Sequence, residues 1–115
     1  MTSIILVIGI LGNPLTTITT PAFSQEGSSV FIAPGASNPN NGISFDPPQT
    51  SVSTGSTVSW TNEDSTEHTV TSDEGLFDAG PISPGDTFDN TFDISGEFGY
   101  HCAIHPFMTG VVIVN

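Results

Sequence analysis

The sequence predicts an all-β sandwich of about eight short strands, and three observations carry that prediction. Beyond residue 24 no stretch spaces its apolar residues at the helical period. Turn-forming residues recur along the chain at a mean interval of about 12 positions. The segments between them are short, and either alternate in polarity or are rich in β-branched residues. At 115 residues the chain can build one core and one domain, with no room for a second catalytic domain.

The breaks fall at Pro34-Gly35, Pro47-Pro48, Thr54-Gly55, Asp73-Glu74-Gly75, Pro84-Gly85 and Ser95-Gly96, where proline or glycine interrupts a strand ladder. The strands expected between them are 30–33, 43–45, 51–53, 57–61, 68–71, 87–92, 96–102 and 110–114. In 57–61, Val58 and Trp60 share one face and the hydroxyl residues the other, so Trp60 is a candidate core residue. In 87–92, Phe88, Asn90 and Phe92 oppose Asp89 and Thr91. In the last strand Val112 and Val114 oppose Val111 and Ile113. The segment Asn38-Pro39-Asn40-Asn41-Gly42 reads as a surface turn.

All 12 charged side chains are Asp or Glu, with no Lys or Arg, for a formal net charge of -12. Nucleic acid is excluded as a partner, because phosphate binding requires cationic side chains. Such a surface repels acidic proteins and steers basic ones, an effect that salt weakens.

Residues 3–12, SIILVIGILG, have the length of a signal-peptide apolar core and are too short to cross a bilayer. Ala22 and Ser24 are small residues suitably placed for cleavage after Ser24. The expected organisation is a cleaved signal over 1–24 and a mature domain over 25–115, exported to the periplasm, the medium or the outer face of the cytoplasmic membrane. The segment lacks the Lys or Arg that ordinarily opens a signal, and the alternative is a retained tail associated with the membrane.

The chemistry lies in the last third. Cys102 is the only cysteine, so it forms no intrachain disulfide, and it stands three residues before His105, which stands three before Met108. One further candidate, His68, lies upstream. A thiolate and two imidazoles with a more distant thioether are the donor set of a type 1 copper site. These types are needed because Cu(I) favours soft sulfur and Cu(II) favours nitrogen. A short connection between two strands gathers Cys102, His105 and Met108 around one point, and His68 arrives from another strand. Taken alone, Cys102 reads as a buried small hydrophobe and His105 as a solvated loop residue, and Met108 remains open as core filler. His101 alternates with Cys102 along its strand and is expected to face away from the metal.

Here the chain resembles the cupredoxin family, in its short ligand loop most of all the amicyanins, and more loosely the pseudoazurins and plastocyanins. The matching residues are Tyr100-His101-Cys102, His105-Pro106-Phe107-Met108 and Gly110, with Val58-Ser59-Trp60-Thr61-Asn62 and His68-Thr69-Val70 upstream. The resemblance implies a Greek-key β-sandwich and one copper ion cycling between Cu(I) and Cu(II). It implies His68 and His105 as ring-nitrogen ligands, Cys102 as a thiolate in the shortest bond and Met108 as a weak axial ligand. Thr69 departs from the pattern: most of these relatives carry Asn there, bonded to the cysteine sulfur and tying the two ligand loops together.

The function expected is a soluble one-electron carrier, a monomer and not an enzyme. Redox partner proteins are expected to dock near His105, on Ile104, Pro106 and Phe107. Glu63, Asp64 and Glu67 read either as an acidic collar beside the site or as a solvated loop. A competing class is a mononuclear copper enzyme or sensor acting on a small molecule such as oxygen or a nitrogen oxide, which needs an open axial position. A copper storage protein ranks last, because the chain has two Met and one of them is Met1.

Overall fold

The structure, a computed structural model, describes residues 27–115, and the expected signal segment lies outside the described residues. Every regular element among the described residues is a strand. In order these are β1 (Ser28–Ile32), β2 (Phe45–Asp46), β3 (Gln49–Val52), β4 (Ser56–Asn62), β5 (Thr71–Ser72), β6 (Thr87–Phe92), β7 (Gly96–His101) and β8 (Thr109–Val114). They form two four-stranded sheets, β2-β1-β4-β6 and β3-β8-β7-β5. The expected all-β sandwich is therefore present, with the Greek-key connectivity of its structural neighbours.

Period-two patterning sets the two layers. In β4, Ser56, Val58, Trp60 and Asn62 are buried while Thr57, Ser59 and Thr61 are half-exposed. Trp60 fills the space between the sheets, with Phe77, Phe88, Phe92 and Tyr100 around it at ring centroid separations of 5.3 to 6.4 Å. Each fully buried aromatic contributes about 1.5–3 kcal/mol of transfer free energy, so this cluster holds the layers together. Tyr100 also meets Phe45 edge to face at 4.8 Å. Its hydroxyl and the Trp60 indole nitrogen are buried without a hydrogen-bond partner. Burial pushes the Tyr100 phenol up to about 12.

Two segments depart from the expected strands, and in the first, 43–45, only Phe45 lies in a strand, as the start of β2. Residues 68–71 do not run as a continuous strand: His68 exchanges two main-chain hydrogen bonds with Ile82, at 3.3 and 2.7 Å, and regular pairing to β7 begins only at Thr71. The chain crosses from one sheet to the other here. β-Branched residues alone do not reveal such a crossing.

β1 and β4 run parallel, in register from Ser28 opposite Val58 to Ile32 opposite Asn62. Their C-terminal ends, the end of β7 and the start of β8 lie at one end of the sandwich. Loops 33–44, 63–70 and 102–108 therefore meet there, over the edge of the core.

Candidate metal centre

Strand β7 delivers Cys102 to this end. Tyr100, one pleat earlier, points into the core, so the period-two alternation sends Cys102 inward as well, where it is fully buried. The loop after it is closed by its own main chain: Cys102 N donates to Met108 O at 3.1 Å and Met108 N to His105 O at 2.9 Å. Three residues thus turn back tightly enough to set His105 beside Cys102. Met108 is also fully buried.

The structure brings together His68, Cys102 and His105, whose donor atoms all lie within 4.8 Å of one another. Cys102 Sγ is 3.7 Å from His68 Nδ1 and 3.8 Å from His105 Nδ1. Thiolate and imidazole donors at about 2.3 and 2.0–2.1 Å from a first-row ion, opened to the trigonal angle, stand about 3.8 Å apart. The two sulfur–nitrogen separations therefore fit a His₂Cys donor set around a single ion.

His68 is fixed in the tautomer such an ion requires. Its Nε2 donates to Asp64 Oδ2 at 2.7 Å, which leaves the Nδ1 lone pair facing Cys102. Asp64 is buried beside it. Burial alone raises a carboxyl, but here it is outweighed by hydrogen bonds from His68, the Gly35 and Ser65 amides and the Thr66 hydroxyl. Together they hold Asp64 well below the usual carboxylate range. Asn62, at the buried end of β4, shapes the loop: its Nδ2 donates to Thr66 O at 2.8 Å and Ile82 O at 2.9 Å, and its Oδ1 accepts from Asp64 N at 2.9 Å.

Thr69 performs the tie for which the resemblance implies asparagine. Its main-chain N–H donates to Cys102 Sγ at 3.3 Å, and its Oγ1 accepts from Ala103 N at 2.7 Å. The first contact stabilises a thiolate, and the second locks the two ligand loops together with a shorter side chain.

His101 lies outside the cluster, as alternation requires: its Nδ1 bonds Asp73 Oδ1 at 2.6 Å on the surface. Ile104, Pro106 and Phe107 are exposed around a half-buried His105. Of the three acidic residues before His68, Glu63 and Glu67 face solvent and only Asp64 turns inward. Sequence reasoning did not separate Asp64 from its neighbours, nor assign a role to Asn62. The one available signal was that Asn62 shares a face with Val58 and Trp60, which marks a polar group entering the core.

Comparison with known proteins agrees with this geometry. Residues 35–115 match the family of copper binding proteins described as the plastocyanin/azurin family. Amicyanin of Paracoccus denitrificans is 32% identical over 78 residues, which cover 64% of this chain and 60% of the amicyanin. The chloroplastic plastocyanin of Tetradesmus obliquus is 30% identical over 107 residues, covering 77% and 74%. Among solved structures, a purple cupredoxin from Nitrosopumilus maritimus is 31% identical, with a TM-score of 0.73 over 76% of this chain and 99% of that one. With the fold, the donor spacing and the match over residues 35–115 in agreement, the chain belongs to the plastocyanin/azurin family of copper binding proteins, with one copper ion as its cofactor.

Proposed function

We propose that the protein is an exported one-electron carrier with a type 1 copper site, in which His68, Cys102 and His105 would hold the ion as its three strong ligands and Met108 would be a fourth, weaker one. The observation that carries this reading is the pair of 3.7 and 3.8 Å separations between Cys102 Sγ and the two imidazole Nδ1 atoms. Copper, when bound, supplies a couple between Cu(I) and Cu(II). The chain supplies rigidity: Cys102 is held by Thr69 N–H, His68 by Asp64, and the ligand loop by its own main-chain bonds. Donors fixed in this way move little between the two oxidation states, which keeps the reorganisation cost of electron transfer low.

Of the three clustered donors His105 is the nearest to solvent, and with copper bound it would be the route by which an electron enters and leaves. The exposed Ile104, Pro106 and Phe107 around it form an apolar collar suited to the small contacts of transient redox partners. Membership of the family that includes the amicyanins and plastocyanins supports the carrier reading. A cleaved signal over 1–24 and a mature domain over 25–115 in an extracytoplasmic compartment complete it, supported by the apolar run 3–12 and by Ala22 and Ser24. Among the described residues no helix is long and apolar enough to cross a membrane. Like charge throughout favours a monomer.

Potentiometric titration of the copper-loaded protein, with and without azide, tests the proposal. One electron per chain, taken up and released reversibly with a spectrum indifferent to azide, is the expected result. A spectrum that shifts with azide shows an open copper position and supports a small-molecule enzyme or sensor instead.

A further inference from the structure

We infer that Asp78, a surface carboxylate outside the ligand set, is a positioning residue for the metal centre, acting through the hydroxyls of Thr71 and Thr69 on the peptide that follows Cys102. This rests on the electron-carrier reading. Three hydrogen bonds join the surface to the ligand loop: Thr71 Oγ1 to Asp78 Oδ1 at 3.2 Å, Thr69 Oγ1 to Thr71 Oγ1 at 2.9 Å, and Ala103 N to Thr69 Oγ1 at 2.7 Å. Asp78 is exposed, Thr71 half-buried and Thr69 buried, so the chain of bonds runs inward step by step.

Counting protons fixes the direction of every bond. A threonine hydroxyl has one hydrogen to donate and accepts through its oxygen lone pairs. Thr71 gives its hydrogen to the Asp78 carboxylate, so towards Thr69 it can only accept. Thr69 therefore donates outward to Thr71 and accepts inward from the Ala103 amide. The three bonds align head to tail with a carboxylate at the outer end, the arrangement in which each bond strengthens the next. Part of the charge of Asp78 is thereby brought to the peptide joining Cys102 to Ala103.

The backbone keeps these side chains in line. Thr71 is bridged to Asp78, Ala79 N donates to Val70 O at 2.9 Å, and Ser72 N donates to Phe77 O at 2.9 Å. Gly80 N fixes Asp78 Oδ1 from the other side at 2.9 Å. With copper bound, negative charge brought towards Cys102 favours Cu(II) over Cu(I), as hydrogen-bond partners behind a ligand do. A firmly held Ala103 amide also limits movement of the ligand loop between the two states.

Thr71→Val breaks the chain of bonds without altering charge, and Thr71→Ser keeps it. Amide exchange of the ¹⁵N-labelled protein is read without added copper and again in the Cu(I) form, and voltammetry gives the potential. Thr71→Val is expected to speed exchange at Ala103 about fivefold, the worth of one ordinary hydrogen bond, and to raise the reduction potential. Thr71→Ser is expected to match the wild type in both. Asp78→Asn is expected to raise the potential, and to do so equally at low salt and at about 1 M, where charges more than about 3 Å apart are screened. Unchanged Ala103 exchange in Thr71→Val, a Thr71→Ser protein that behaves like Thr71→Val, or an Asp78→Asn shift that disappears at high salt would each overturn the inference. A wild-type protein without a reversible one-electron couple would instead sink the carrier reading, and the exchange rates read without added copper do not depend on it.

Discussion

Cys102 is held by neighbours on both ligand loops, and the residue whose loss separates ligation from packing is not a ligand at all. Asp64 orients His68 and makes its imidazole a stronger donor. Asp64→Asn keeps the shape and removes the charge. It is expected to lower Cu(II) affinity about 10-fold or more and to raise the reduction potential, because a weaker nitrogen donor favours Cu(I). Metal competition and voltammetry measure the two effects, and a lowered potential would contradict the assignment. Cys102→Ala is expected to abolish intense visible absorption, whereas His101→Ala, which removes only the surface pair with Asp73, is expected to leave it nearly unchanged. Spectra of the two copper-loaded variants decide. The gathering of His68, Cys102 and His105 was legible in the sequence because a thiol and imidazoles at close spacing have few structural explanations when they occur together. Asp64 was not, because a carboxylate that turns inward at a loop looks the same in sequence as Glu63 and Glu67, which do not.

At the scale of elements, the β7–β8 pair governs how the ligand loop is presented. Gly110 lies opposite Tyr100, and a β-carbon there collides with the Tyr100 ring and hydroxyl. Gly110→Ala is expected to cost about 1–3 kcal/mol from overpacking, which is a fall in Tm of several degrees for a domain of this size. Calorimetry showing an unchanged Tm would mean that Tyr100 relaxes freely. The Tyr100 phenol gives the same pair a pH signature. Its folded value, about 12, lies above the ordinary 10.0, so the stability tied to its neutral form is intact below pH 10.0 and is lost as pH rises towards 12. Tyr100→Phe is expected to remove that alkaline loss with little effect at neutral pH, since the hydroxyl has no partner to lose. Urea unfolding of the two proteins across that pH range checks this. Strands β4, β6 and β8 were legible because their alternation is regular. The 68–71 segment was not: its β-branched residues read as one strand, while its backbone divides its partners between Ile82 and β7.

The whole molecule joins a rigid sandwich to a surface of a single charge sign. Its aromatic core fixes two layers, the layers fix the loops at one end, and the loops bring three donor atoms within 4.8 Å of one another. With all 12 charged side chains acidic, salt is expected to affect its encounters with other charged proteins. With copper bound, these donors are expected to make a type 1 site that exchanges single electrons. The most direct test is the visible and electron paramagnetic resonance spectrum of residues 25–115 with one equivalent of Cu(II), recorded before and after a mild reductant and again after reoxidation. An intense thiolate-to-copper band that bleaches and returns is the result this geometry predicts. A weak or absent band would contradict it, leaving Cys102 as a structural residue or the site as one for another metal.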